Sequence, residues 1–262
     1  MTVIRPFQTI VDGLCLRGTH YSPPPPEPGP TAVLFHGFGN SRVETTCLFV
    51  TLARRLAATG IGVIAYDRAG HGESDGEFFD TSVSLDVRQA HDVLAAIADL
   101  DDVDAGNLHL VGMSLGSVIA SVVAAESALP LRSLTMWSTA AMFADEIRSG
   151  TLQGRSLETL DSEGYFDFLG MRMGPAMRDD AESFDVYGRA AAYAGPVRLL
   201  HGTADFIPLS YAERYLQVYG ERGELIVVEG ADHGWAQLPQ RDQVIAHTGD
   251  FISRHATLRV NE

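Results

Sequence analysis

The sequence predicts an α/β protein built on a mostly parallel, doubly wound sheet, with a helical segment inserted late in the chain. Three observations carry that prediction. Short apolar runs of strand character alternate with stretches whose apolar residues recur at helical spacing, which implies right-handed crossovers and a sheet covered on both faces. Several of these runs end in glycine-rich turns, and from residue 139 to 194 the alternation stops before resuming.

Taken in order, "GLCLRGTHY" (13–21) alternates loosely and predicts a strand. The prolines of "SPPPPEPGP" then fix φ and forbid helix, so a stiff surface connection follows. "TAVLFHG" predicts a short buried strand, and Leu48, Leu52, Leu56 and Ala57 predict a helix over 43–59. "GIGVIAYD" (60–67) is a further strand. Thr81 or Ser82 caps a helix that carries Val83, Val87, Ala90, Val93, Leu94 and Ile97 on one face. A strand at 107–111 leads through Gly-Met-Ser-Leu-Gly into an Ala/Ser/Val-rich helix, and "LRSLTMWS" predicts the next strand. Residues 139–194 lack an obvious strand and read as short helical fragments, an inserted lid between core segments 1–138 and 195–262. "GPVRLLHG" resumes the strand pattern, followed by a helix at 209–219, a strand at 224–228 and a helix near 239–255.

Length allows one large domain of this kind with a sizeable core. The net charge of −15 opposes binding to nucleic acid or to an anionic membrane and favours neutral ligands. Two cysteines, Cys15 and Cys47, are too few for a disulfide framework and are not spaced as metal ligands. No stretch reads as a cleaved leader or a membrane span, because the most apolar run, 110–125, is broken by Ser114, Ser117, Ser121 and two glycines. A cytoplasmic enzyme is the expectation, and a homodimer is the one protein assembly kept open.

A strand ending at Val111, then Gly-Xaa-Ser-Xaa-Gly, then a helix is the pattern of a nucleophile elbow, with Ser114 on a strained turn. A serine hydroxyl needs a base within hydrogen-bond reach and a third group to orient that base. Of nine histidines, His233 follows a late strand in "VVEGADHGW" between glycines, which suits the carboxyl edge of a sheet. Asp205 in "LLHGTADFIP" follows another late strand and is the expected acid; Asp232 competes, but its adjacency to His233 hinders folding back onto the same ring. Acyl transfer also calls for N–H donors aimed at a developing oxyanion. The backbone N–H groups of Phe38, in "LFHGFGNS", and of Leu115, at the start of a helix, are the candidates. "DRAGHGESDG" reads as a supporting turn, with His71 preceding the nucleophile in the chain. No phosphate-binding loop, Cys-x-x-Cys pair or His-Glu-x-x-His is present, and the chemistry calls for neither metal nor cofactor.

The set "HGFG", "DRAGHGES", "GMSLG", "HGTADFIP" and "GADHGW" resembles the α/β-hydrolase superfamily across nearly the whole chain. Within it, "DGEFFDTSVSLDVRQAHDVLAAI" and "VEGADHGW" are similar to small bacterial cinnamoyl or feruloyl esterases. That likeness implies Ser114, Asp205 and His233 as a triad, Phe38 and Leu115 as oxyanion donors, and 139–194 as the insertion that shapes the acyl pocket. One departure stands at the elbow, where those esterases commonly carry histidine before the serine and glutamine after it. Phe38, Trp235, Phe206, Tyr165 and Phe166 are expected to contribute to an apolar pocket for a small ester of a hydroxycinnamic, other aromatic or short-chain acid. Thioester, lactone or lipid-ester hydrolysis and C–C bond hydrolysis use the same machinery, and a non-catalytic binding role is the remaining alternative.

Overall fold

A computed structural model describes residues 2–24 and 27–257; Pro25 and Pro26 of the proline-rich connection lie outside the described residues. The chain begins with a strand that the sequence pattern did not reveal. β1 (Val3–Val11) pairs antiparallel with β2 (Leu14–Ser22) across the tight Asp12-Gly13 turn, where both residues take left-handed φ of 52° and 80°. β1 lies at the sheet edge, and its Val3, Ile4 and Ile10 are exposed, so apolar residues on both faces blur the two-residue period.

β3 (Gly29–Phe35), α1 (Leu48–Ala58), β4 (Gly62–Tyr66), α2 (Val83–Ala98), β5 (Val103–Met113), α3 (Leu115–Glu126) and β6 (Leu131–Trp137) then alternate as expected. α1 starts five residues later than the 43–59 reading, because Glu44, Thr46 and Cys47 all take left-handed φ. The 139–194 segment holds α4 (Met142–Arg148), β7 (Thr151–Leu152), β8 (Arg155–Ser156), α5 (Glu158–Ser162), β9 (Phe166–Phe168), β10 (Met171–Met173), α6 (Pro175–Ser183) and α7 (Val186–Ala190). It is therefore not strand-free. β7–β8 and β9–β10 are hairpins of two and three residues per strand, too short to show a period, turning at Gln153-Gly154 and Leu169-Gly170 with positive φ throughout. β11 (Val197–Gly202), α8 (Ser210–Tyr219), β12 (Gly223–Val228) and α9 (Leu238–His255) complete the chain.

The eight long strands form one sheet in the order β1-β2-β4-β3-β5-β6-β11-β12, parallel from β4 to β12. Consecutive residues point to opposite faces: Val33 and Phe35 join the core under α2, α3 and α8, whereas Ala32 and Leu34 join the one under α1 and α9. Phe143, Ile147, Leu152, Phe168 and Met177 of the 139–194 segment extend the first of these cores. Ser84 at the start of α2 ties that segment down, donating its N–H and hydroxyl to Asp180 at 2.7 and 2.6 Å. Strand order reverses between β4-β3 and β5, and the crevice beyond the carboxyl ends of β3 and β5 is where an open parallel sheet offers a ligand site. Among the described residues no helix is long and apolar enough to cross a membrane.

Candidate active site

Ser114 stands at the carboxyl end of β5, at φ 55° and ψ −122°. Close backbone approach explains both neighbouring glycines. A Cβ on Gly112 would lie 2.4 Å from the Ser117 Cα, and one on Gly116 would lie 2.1 Å from the Phe35 carbonyl oxygen. The elbow is further held by the Ser114 N–H, which donates to Trp137 O at 2.9 Å, and by the Ser117 hydroxyl, which donates to Ser114 O at 2.6 Å.

Two late loops converge on this serine. His233 Nε2 lies 3.0 Å from Ser114 Oγ, and its Nδ1 lies 2.9 Å from Asp205 Oδ1. Asp205 Oδ1 also accepts the Ile207 N–H at 2.9 Å, and the side chain is fully buried. Burial pushes the Asp205 carboxyl up, but the hydrogen bond and charge of His233, the Ile207 N–H and the Ser138 hydroxyl outweigh it and hold the group below the ordinary carboxylate value. With Asp205 accepting at Nδ1, His233 carries its proton there and leaves Nε2 as an acceptor toward the serine. Asp232 faces elsewhere: its Oδ1 accepts the Ala236 N–H at 2.9 Å and closes the local turn.

Phe38 and Leu115 line the same cleft as the serine, and neither backbone N–H has a protein acceptor among the described residues: Phe38 sits in an irregular loop, and Leu115 is the first residue of α3. His36 and His71 are buried behind that loop. Burial, then the Arg68 charge, pushes both imidazoles down, His71 to about 3, so both are neutral supports. The "DRAGHGES" turn is braced by Asp67, which accepts the Arg42 N–H at 2.6 Å and the Glu73 N–H at 3.0 Å and pairs with the Arg42 guanidinium.

Beside Ser114 opens a mostly apolar cleft. The core loops contribute Phe38, Leu115, Phe206 and Ile207; the 139–194 segment contributes Ala140, Met142, Phe143, Glu146, Ile147, Leu152, Gln153 and Met177. Of the five aromatic residues expected at a pocket, Phe38 and Phe206 line it, the latter with its ring 4.4 Å from that of His233. Trp235 is fully buried in the core under α1 and α9, turned there by a left-handed φ of 52°. Phe166 is buried beneath the Arg155 guanidinium, and Tyr165 packs under Arg172; neither lines the cleft. The lining that sequence reasoning missed comes chiefly from α4, where Met142/Glu146 and Phe143/Ile147 share a face at four-residue spacing. Glu146 is the one carboxylate there, accepting the Gln153 and Gly154 N–H groups at 2.9 and 3.2 Å.

Residues 32–247 match the family model described as the alpha/beta hydrolase family. An uncharacterized protein of Mycobacterium tuberculosis is 24% identical over 251 residues, which span 94% of this chain and 78% of that one. Among solved structures, Est1E from Butyrivibrio proteoclasticus with ferulic acid bound superposes with a TM-score of 0.86 at 23% identity, covering 95% of this chain and 98% of that one. The alpha/beta hydrolase GrgF from Penicillium sp. sh18 does so with a TM-score of 0.77 at 18% identity, covering 97% and 99%. At such identities the likeness to these structures is one of fold, and it joins the motif resemblance noted in the sequence.

Proposed function

The chain belongs to the alpha/beta hydrolase family, and from that premise we propose that it is a serine hydrolase cleaving carboxylic esters of small aromatic or short-chain acids through an acyl-enzyme. The observation that carries this reading is the unbroken hydrogen-bonded series Ser114 Oγ, His233, Asp205, with two unpartnered backbone N–H groups beside the serine. His233 Nε2 takes the Ser114 proton as Oγ attacks the ester carbonyl. Asp205 stabilises the resulting imidazolium, and the Phe38 and Leu115 N–H groups receive the charge that develops on the carbonyl oxygen. Collapse of the tetrahedral intermediate returns that proton to the departing alkoxide and leaves the acyl group on Ser114. Water, deprotonated by His233, then attacks the same carbonyl; the acid leaves and Ser114 recovers its proton.

The acyl preference rests on the cleft. Phe38, Phe143, Ile147, Leu152 and Met177 favour an uncharged, apolar acyl group, and the Glu146 carboxylate together with the net charge of −15 disfavours an anionic one. Rates on methyl ferulate and on a p-nitrophenyl ester chain-length series, with Ser114→Ala as the blank, test the proposal. The variant is expected to fold normally, to lose turnover by on the order of 10⁴-fold or more, and to escape fluorophosphonate labelling. Retention of most of the wild-type rate removes the nucleophile assignment. Ferulate turnover that rivals the best short ester supports the hydroxycinnamoyl preference; turnover of activated short esters alone places the native acyl group elsewhere.

A further inference from the structure

The loop that carries the Phe38 N–H is gripped from two sides by charged groups that no step of the proposed chemistry uses. On one side the Gly37 N–H donates to Glu44 Oε1 at 2.5 Å, while Asn40 Nδ2 and the Thr45 N–H donate to Oε2 at 2.5 and 3.1 Å. On the other, Arg68 Nη1 donates to His36 O at 2.9 Å and Nη2 to Gly37 O at 3.1 Å, and His36 Nδ1 donates to Gly37 O at 2.8 Å. These contacts pin two successive peptide units. The 36–37 unit is held at its oxygen by Arg68 and at its N–H by Glu44; the 37–38 unit is held at its oxygen, and its N–H belongs to Phe38. Because a peptide unit is planar, fixing the Gly37 oxygen and the plane before it fixes the direction of the Phe38 N–H. The joint between the two planes is a glycine, the residue with the widest φ/ψ freedom, so without both grips that direction is loose.

We propose that Glu44 is a positioning residue for the oxyanion site: its carboxylate, opposed across Gly37 by Arg68, holds the 36–37 peptide so that the Phe38 N–H meets the charge developing at Ser114. The inference rests on the ester-hydrolase reading above. A Cβ built on Gly37 would lie 3.3 Å from Glu44 Oε1 and 3.4 Å from Ser114 Cβ, so carboxylate and nucleophile flank one α-carbon. Glu44 acts through that backbone and does not touch substrate. Packing alone does not account for it. The residue is 5% exposed and adopts a left-handed φ of 57°, and a methionine fills the same volume without desolvating a charge. What the carboxylate adds is simultaneous acceptance from three donors, which a glutamine, with one acceptor oxygen and an NH₂ in place of the other, does not reproduce.

Glu44→Gln keeps the shape; with its oxygen at the Oε2 position, where the Asn40 Nδ2 and Thr45 N–H donors converge, it leaves the Gly37 N–H facing an amide NH₂. Removing an oxyanion donor outright costs about 10²–10³ in kcat, so misaligning one is expected to cost about 10–100-fold in kcat with KM near wild type. Affinity for a tetrahedral boronic acid should fall by the same factor, while that for the planar product acid stays unchanged, and the Gly37 amide hydrogen should exchange faster. A merely structural role lowers the melting temperature and leaves these ratios alone. Kcat and boronate affinity both within twofold of wild type overturn the proposal. If Glu44→Gln does not fold, Asn40→Ala, which removes one of the two donors at Oε2, carries the same comparison with a smaller fall expected and the same overturning result. Wild-type turnover and its loss in Ser114→Ala report on the ester-hydrolase reading separately, and Gly37 amide exchange reports on the grip without any turnover.

Discussion

Replacement of Asp205 by asparagine separates two jobs that an orienting carboxylate does at once: holding the correct imidazole tautomer and stabilising the imidazolium by charge. In enzymes where the asparagine amide turns its NH₂ toward the histidine, the wrong tautomer is enforced and kcat drops about 10⁴-fold. The surroundings of Asp205 oppose that turn. Oδ1 accepts from both the Ile207 N–H and His233 Nδ1, each at 2.9 Å, so an NH₂ placed there would face two donors. The other oxygen, Oδ2, and the Ser138 hydroxyl are both buried without a hydrogen-bond partner among the described residues, and Ser138 is near enough to help hold the carboxyl down, so the two are free to meet. A hydroxyl accepts from an NH₂ as readily as it donates to a carboxylate. Asparagine is therefore expected to keep its oxygen on His233 and its NH₂ on Ser138, preserving the tautomer and losing only the charge.

Two unit charges about 4 Å apart interact by about 4 kcal/mol at an effective dielectric constant of about 20. At about 1.4 kcal/mol per decade that is an upper bound near three decades of rate. The expected loss in kcat for Asp205→Asn is thus about 10²–10³-fold, measured on a short-chain p-nitrophenyl ester with active sites counted by fluorophosphonate titration. Asp232→Asn, whose amide oxygen still accepts the Ala236 N–H and which touches no partner of the imidazole, should stay within about threefold of wild type. A loss near 10⁴-fold refutes the amide-orientation argument. A loss under about tenfold, or a larger one in Asp232→Asn, refutes Asp205 as the orienting acid.

Two further outcomes follow from the packing. Gly116→Ala drives a Cβ to 2.1 Å from Phe35 O and 2.4 Å from His36 O, both backbone atoms; at least about 3 kcal/mol of stability and about 10 °C of melting temperature should be lost, whereas Gly106→Ala, which meets only the Asp104 side chain at 3.3 Å, should melt within a few degrees of wild type. Burial raises the Asp86 carboxyl to about 6 against the pull of Arg68, 3.2 Å away. From about pH 4 to 6 the unfolded chain ionises this group while the fold keeps it protonated, so stability from Asp86 is present at the acid end and falls by up to about 1.4 kcal/mol per pH unit as pH rises. Denaturant unfolding at pH 4, 5 and 6 should show the wild type losing ground relative to Asp86→Asn across that window; a constant gap refutes the raised value.

How far the fold could be read in advance depended on how locally each element is determined. β3, β4, β5, β6 and β11 are buried central strands whose apolar runs end at glycine or at a polar turn, and no long-range information is needed to see them. β1 escaped because an edge strand tolerates Ile4 and Ile10 on its outer side, 50% and 68% exposed. The two hairpins of the 139–194 segment escaped because two or three residues hold no period, although Gln153-Gly154 and Leu169-Gly170 are the kind of turn pairs that give such hairpins away. The start of α1 was misplaced because "RVETTC" continues a helical spacing in sequence while its backbone breaks that spacing with left-handed φ.

The same distinction divides the site. Ser114, Asp205 and His233 were legible because each sits where a strand ends and a glycine or proline constrains the turn, a local signature that the 3.0 and 2.9 Å contacts then join across the sheet edge. Trp235 shows the limit of proximity in sequence: two residues from His233, it points into the opposite core. Glu44 shows a deeper limit. In "NSRVETT" it falls inside the stretch that reads as helix, with no strand end beside it to single it out, whereas Asp205 in "TADFIP" follows a strand. Folding gives each of the two carboxylates a buried place and backbone N–H donors near the serine, yet shifts them in opposite directions. For Asp205, desolvation is outweighed by the imidazole it contacts directly, with the Ile207 N–H and the Ser138 hydroxyl adding to the pull. For Glu44, desolvation prevails over the Gly37 and Thr45 N–H groups and the more distant charges of Arg68 and His233. The difference is the direct hydrogen bond to the imidazole, made between loops 28 residues apart in the chain, and a carboxylate held with a raised pKa is one that keeps its charge only while its donors stay in place.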